Sequence, residues 1–210
     1  MLTSESQKNF ETMPLYKYLA CPADDKTRKG RVSNILVEHQ LFFASRQDFN
    51  DPFDCAIPSL SQIPGTFLKR WAEEFVDRKF PDHSESEKSN EIDTLMLANT
   101  LKEIRRRLQD TVDNAGISCC SAVRDDILMW ANYADNPTGL CLEFDGSSNC
   151  NFFGEAQPVE YEDYTPSPLH ENAECQMRRV ILTKSKHWSY EKEYRIFKPD
   201  QAKQNIDYPV

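Results

Sequence analysis

Leu15-Tyr16-Lys17-Tyr18-Leu19 alternates apolar and mixed positions and stops at Cys21-Pro22, which predicts a first strand. From Arg31 to Gln40, Val32, Ile35, Leu36 and His39 recur at the spacing of an amphipathic helix, and Leu41 to Ser45 follows as a short extended piece. Phe49-Asn50-Asp51-Pro52-Phe53-Asp54 sets turn formers between two phenylalanines, and Pro52 pushes Asp51 away from helical angles, so a rigid loop is expected. Apolar positions at Phe67, Leu68, Trp71 and Phe75, and again from Ile92 to Leu108, predict helices over 66–80 and 91–112. The charged, serine-rich stretch Asp82 to Asn90 joins them, giving a helical insertion at about 60–112. Beyond it the pattern predicts a strand at Ile117–Ser121, a helix at Asp125–Ala134 and a strand at Gly139–Phe144. A strand at Pro158–Tyr161, a helix at Glu171–Thr183 and a strand at Tyr194–Phe197 complete an α+β chain.

Composition narrows the class. The chain has 210 residues, 39% hydrophobic and 28% charged, with a net charge of −9, which fits a single globular domain over 1–210 and excludes a disordered or nucleic-acid-coating protein. No apolar run approaches the roughly 18 residues of a membrane span, and Met1 to Phe10 lacks a signal-peptide pattern, so a cytoplasmic protein with no membrane partner is expected.

Seven scattered cysteines without a C-x-x-C pair read as reduced thiols, and Cys119 and Cys141 as small buried hydrophobes rather than nucleophiles. The histidines never fall at i, i+4, so structural zinc is not expected and no metal ligand is assigned. Phosphate-binding loops, the dinucleotide glycine fingerprint, the serine elbow and the zinc-protease helix are all missing. Chemistry must then rest on carboxylates, tyrosines and backbone groups.

Three segments mix aromatics with fixed polar groups: Phe49–Asp54, Trp130–Asp135 and Trp188–Arg195. That mixture suits a pocket gripping a flat polar ring, and equally an ordinary core edge. On a strand, Glu191 and Glu193 would point to one side, either as an exposed, solubilising edge or as paired acids with Lys184, Lys192 or Arg195 between them. From Arg178 to Lys198 seven basic residues face two acids, either as solvated surface charge or as a patch that steers a pyrophosphate or RNA. Arg105-Arg106-Arg107 reads as a solvated helix face.

Tyr16 to Tyr18, Phe49-Asn50-Asp51-Pro52-Phe53, Met129-Trp130-Ala131-Asn132-Tyr133-Ala134-Asp135 before Gly139–Phe144, and Trp188-Ser189-Tyr190-Glu191-Lys192-Glu193-Tyr194-Arg195 occur in this order. In these motifs the chain resembles a widespread bacterial family, domain of unknown function 2971, whose name conveys no activity. More distantly, Gly116–Ser121, the helix with Ala131-Asn132-Tyr133, Leu140–Glu143 and the segment from Glu193 to Gln201 with Tyr208-Pro209-Val210 are similar to the catalytic core of poly(ADP-ribose) polymerases and related ADP-ribosyltransferases.

That second resemblance implies a split, mostly antiparallel sheet with NAD as substrate, and an effector of toxin or phage-defence type with a protein or nucleic-acid acceptor and a neutralising partner protein. Tyr133 matches the tyrosine that stacks on nicotinamide and Glu193 the catalytic glutamate, while Glu191 stands at the first glutamate of an E-x-E element. Tyr16 or Tyr18 stands where those polymerases carry a histidine. Arg195 or Arg179 would meet the pyrophosphate through a guanidinium fork. Asn50 and Asp51 divide between loop locking and ligand contact, Asp54 leans to structure, and Trp130 and Trp188 to core anchoring. Two other functions stand beside this one: a non-catalytic interaction module, and a metal-dependent nuclease using Asp51, Asp54 and the glutamates.

Overall fold

The structure, a computed structural model, describes residues 14–21, 26–57, 61, 63–136, 138–146, 152–163 and 173–209. Along the first half the elements are β1 (Pro14–Leu19), α1 (Lys26–Leu36), β2 (Gln40–Phe43), α2 (Gly65–Lys79), α3 (Glu85–Met96) and α4 (Ala98–Asn114). The second half adds β3 (Gly116–Ser121), α5 (Ile127–Tyr133), β4 (Leu140–Asp145), β5 (Gln157–Pro158) and β6 (Glu160–Glu162). It closes with α6 (Ala173–Ile181), β7 (Thr183–Ser185), β8 (Glu193–Lys198) and β9 (Gln204–Asp207). The class is α+β with a mostly antiparallel sheet.

The elements fall into two compact units. The first comprises the chain up to Ser45, Gly116–Val159 and the stretch from His187 onward; the second comprises Arg46–Ala115 and Glu160–Lys186.

In the first unit five strands run in the order β4-β1-β3-β8-β5, each antiparallel to its neighbour. A two-stranded pair, β2 with β9, is linked to β3 by a bridge between Ala44 and Ile117. Because side chains alternate along a strand, register assigns each one a face. Leu15, Leu142, Cys120 and Ile196 share the face that packs on Phe43, Phe152 and Phe153 as the main core. Glu143, Tyr16, Ser121 and Glu193 lie in register across four strands on the opposite face. Two glycines permit this packing. A Cβ at Gly116 would lie 2.3 Å from the carbonyl oxygen of Gln201, and one at Gly139 would lie 2.2 Å from that of Leu19.

The second unit holds α2, α3, α4 and α6 with the parallel pair β6 and β7. Trp71, Leu68, Ala72 and Leu101 form its helical core, with Ile92, Leu95, Met96 and Ile104 packed around them.

Several sequence expectations need correction. The first helix is Lys26–Leu36 rather than Arg31–Gln40, because His39 takes a left-handed φ of 52° and turns the chain into β2; only Ile35 of its stripe is fully buried. The expected helix over 91–112 is two helices broken at Leu97, and the supposed linker from Asp82 is the start of α3, opened by a Ser84–Glu87 capping box. In one unbroken helix Ile92 and Leu101 would sit roughly 180° apart around the axis at 3.6 residues per turn and could not both face the cluster around Trp71. The strand expected at Pro158–Tyr161 divides, since β5 pairs with β8 while Glu160 donates its N–H to the carbonyl of Leu182 in the other unit. The helix expected from Glu171 ends at Ile181 and gives way to β7, and its first two positions lie outside the described residues, as do Pro22, Cys150 and His170.

Candidate functional site

The face of the first unit's sheet that turns away from its main core is lined by tyrosines, thiols and carboxylates. Tyr16 and Tyr18 rise from β1 and are buried with Met129 and Ala134 of the covering α5 region, joined by Trp130, Tyr133, Cys141 and Tyr190. Helix α5 starts where Asp126 caps it, the carboxylate accepting the N–H groups of Leu128 and Met129 at 2.8 and 3.2 Å. It ends at Ala134, whose carbonyl accepts the N–H of Gly139 at 2.7 Å and returns the chain into β4.

Two adjacent α5 side chains hold the 3₁₀ turn Lys186–Glu191. Asn132 Nδ2 donates to the Tyr190 hydroxyl at 3.0 Å, and the Tyr133 hydroxyl donates to Glu191 Oε1 at 2.5 Å. From the sheet side, Ser121 Oγ donates to the Glu191 carbonyl at 2.6 Å and the Ala122 N–H to the Lys192 carbonyl at 2.9 Å. Lys192 between them has φ 45°, a left-handed turn with a side chain exposed to solvent. Glu191 therefore lies before β8 and not on it, so the strand alternation expected to align Glu191 with Glu193 does not apply. Both carboxylates are nonetheless buried, Glu191 at 2% and Glu193 at 5% exposure, which removes the exposed-edge reading.

Strand alternation does align Glu193 with Arg195. Arg195 is completely buried and forks onto the carboxylate, Nε to Oε1 at 2.7 Å and Nη2 to Oε2 at 2.9 Å. Cys119, opposite Arg195 on β3, has its thiol held well above the ordinary range by burial and then by the negative charge of Glu193. Burial, followed by the Glu143 carboxylate, raises the Tyr16 phenol. Tyr18 is raised by burial and then by Cys141, and its hydroxyl donates to the carbonyl of Val123 at 2.9 Å. Trp130 meets the Tyr18 ring edge-on at 5.4 Å between centroids, with its indole N–H donated to the carbonyl of Arg124.

Of the sequence-predicted site residues, Tyr16, Tyr18, Trp130, Tyr133, Glu191, Glu193 and Arg195 belong to this unit. Asn50, Asp51 and Arg179 belong to the second. There Asp51 is buried and accepts the N–H of Phe53 at 2.9 Å, a loop-locking bond, and Asn50 is an exposed residue of the same loop. Arg179 lies on α6, 3.8 Å from Glu162. Asp54 is buried 3.4 Å from the ammonium of Lys184. The basic window is largely neutralised in ion pairs: Lys184 with Asp54, Lys186 with Asp163, Arg195 with Glu193, Lys198 with Glu155. Sequence reasoning passed over Ser121 and Asn132, whose signal is cross-strand register and helix adjacency rather than any motif. Among the described residues no three His, Cys, Asp or Glu side chains converge on a point where a metal ion would sit.

Among the described residues no helix is long and apolar enough to cross a membrane. No curated protein and no solved structure matches the chain. Residues 129–196, about a third of the chain, match the model of a family described as "Protein of unknown function (DUF2971)", a stretch running from α5 to β8 that includes Tyr133, Glu191 and Glu193.

Proposed function

We propose that the tyrosine-carboxylate face of the first unit binds NAD and transfers its ADP-ribose to a protein or nucleic-acid acceptor. One observation carries this reading: the Tyr133 hydroxyl meets a buried Glu191 carboxylate at 2.5 Å, two residues from a second buried carboxylate, Glu193. Breaking the bond from nicotinamide to ribose leaves an oxocarbenium-like sugar, and a fixed carboxylate facing that charge lowers the barrier. Glu193 is the group assigned to the sugar, because it stands where the resembled transferases carry their catalytic glutamate and its buried carboxylate lies on the sheet face that carries Tyr16. Glu191 fixes Tyr133, whose ring face would hold the departing nicotinamide by stacking worth about 1 kcal/mol. Tyr16, in register with Ser121 and on the same face as Glu193, is assigned to the dinucleotide's polar groups. Unrestrained NAD consumption poisons a cell, so a toxin or phage-defence role with a neutralising partner protein belongs to the same proposal.

The test incubates the protein with labelled NAD and cell lysate, following label transfer, nicotinamide release and NAD-dependent thermal stabilisation. Glu193→Gln, which keeps the side-chain volume and one acceptor oxygen, is expected to lower nicotinamide release at least ~100-fold. No transfer, no nicotinamide and no stabilisation sinks the reading. Those three negatives together with a stable complex recovered from lysate point instead to a non-catalytic interaction module.

A further inference from the structure

We infer that Arg195 is a positioning residue for the reaction, fixing the plane and the negative charge of Glu193 through a two-point fork, and is not itself a phosphate contact. This role rests on the reading of the site as an NAD-cleaving one. Three observations carry it. Arg195 is 0% exposed, so its guanidinium is not presented at the surface to a pyrophosphate. Its Nε and Nη2 reach the two oxygens of one carboxylate at 2.7 and 2.9 Å, the side-on geometry that holds a carboxylate coplanar with the guanidinium and that lysine cannot reproduce. Register sets Cys119 of β3 opposite Arg195 and Ser121 opposite Glu193, so the neighbouring strand flanks both members of the fork.

The energetics of buried ion pairs separates positioning from architecture. Withdrawing two ions from water costs several kcal/mol each, and hydrophobic residues of similar volume commonly replace such a pair without loss of stability. Stability alone therefore does not account for burying such a pair. The pair does supply a carboxylate that is ionised, desolvated and fixed in direction before substrate arrives, the preorganisation that stabilises a developing cation. Register places that carboxylate beside Ser121, on the sheet face that also carries Tyr16.

The experiment measures kcat and KM for nicotinamide release in wild type, Arg195→Lys and Arg195→Met, with circular dichroism to confirm folding. The expected result is a kcat about 100-fold lower in Arg195→Met with KM changed only a few-fold, and partial rescue in Arg195→Lys, because the lysine restores charge without the fork. A folded variant of either kind with wild-type kcat, or with a raised KM alone, overturns the inference while leaving the NAD reading standing. If wild type releases no nicotinamide, the NAD reading fails and the positioning role with it. Nitrogen-15 spectra of the wild-type protein cover the case in which neither variant folds. The Arg195 Nε–H resonance is expected to be protected from exchange and shifted when NAD is added; an unprotected resonance, or one that saturating NAD leaves unmoved, overturns the inference.

Discussion

The Tyr133 hydroxyl donates to Glu191 Oε1 at 2.5 Å, joining the last residue of α5 to the turn that leads into β8. Fifty-eight residues separate the two in sequence, so the bond fixes a helix against a strand entry that local structure alone would leave independent. The neighbouring bond from Asn132 to Tyr190 repeats the tie one residue earlier. Together they orient the Glu191 carboxylate and the turn that leads to Glu193.

Replacing Tyr133 with phenylalanine keeps the ring and removes the donor from a buried carboxylate. Hydrogen bonds to charged groups contribute about 1.5–3 kcal/mol, so Tyr133→Phe is expected to lower stability by about that amount. Urea denaturation of Tyr133→Phe, Glu191→Gln and the double variant measures the coupling directly. A coupling energy near zero removes the tie between helix and turn.

Lys192 is a left-handed residue without a glycine's freedom, and its side chain is exposed. A Cβ in that conformation costs roughly 1–2 kcal/mol, a cost glycine escapes while losing more entropy on folding. Lys192→Gly is therefore expected to be close to wild type in stability, and Lys192→Val to be less stable than the glycine variant by at least ~1 kcal/mol. Denaturant midpoints in the opposite order contradict the backbone geometry between Glu191 and Glu193.

Much of the first unit is written in the chain's local pattern. β1, β3, β4 and β8 are short alternating runs bounded by Cys21-Pro22, Gly116, Gly139 and Lys198-Pro199, and each forms where the pattern predicts. Tyr133 and Glu191 are legible as chemistry-bearing residues, but their partnership is not, because it spans separate elements. The break at Leu97 carries no glycine or proline and arises from tertiary packing around Trp71. The Glu193–Arg195 fork is legible, since residues two apart on a strand share a face; the left-handed turn at Lys192, which no motif signals, keeps Glu191 out of that alternation.

Titration should reveal how tightly the interior of the first unit is closed. Burial raises the thiols of Cys119, Cys120 and Cys141, and also the phenols of Tyr16, Tyr18 and Tyr208. Groups whose folded pKa lies above the unfolded one lose their protons first in the unfolded chain, so their effect is absent at low pH and turns destabilising as pH rises past the unfolded value. Under reducing conditions stability is expected to be flat up to about pH 8, to fall above the ordinary thiol pKa near 8.5, and to fall again above about 10 as tyrosines join. Urea midpoints unchanged from pH 7 to 10 contradict the burial of this set.

The second unit offers a test of a different kind at Asp54 and Lys184. The two side chains are 2% and 4% exposed and lie 3.4 Å apart, with Cys55 Sγ donating to Asp54 Oδ1 at 3.3 Å. Asp54 sits at the end of the loop that Asp51 locks through the N–H of Phe53, so its burial anchors the loop while Phe53 remains 78% exposed. Removing one member of a buried ion pair typically costs about 3–5 kcal/mol, whereas replacing both with apolar groups of similar volume is often neutral or favourable. Asp54→Leu alone is therefore expected to destabilise by about 3 kcal/mol or more, and Asp54→Leu combined with Lys184→Met to recover most of that loss. Thermal and urea denaturation of the two single variants and the double variant decide it. If the double variant is no more stable than the worse single one, the pair's worth lies in its charge, and the loop that ends at Asp54 is held by electrostatics that packing cannot replace.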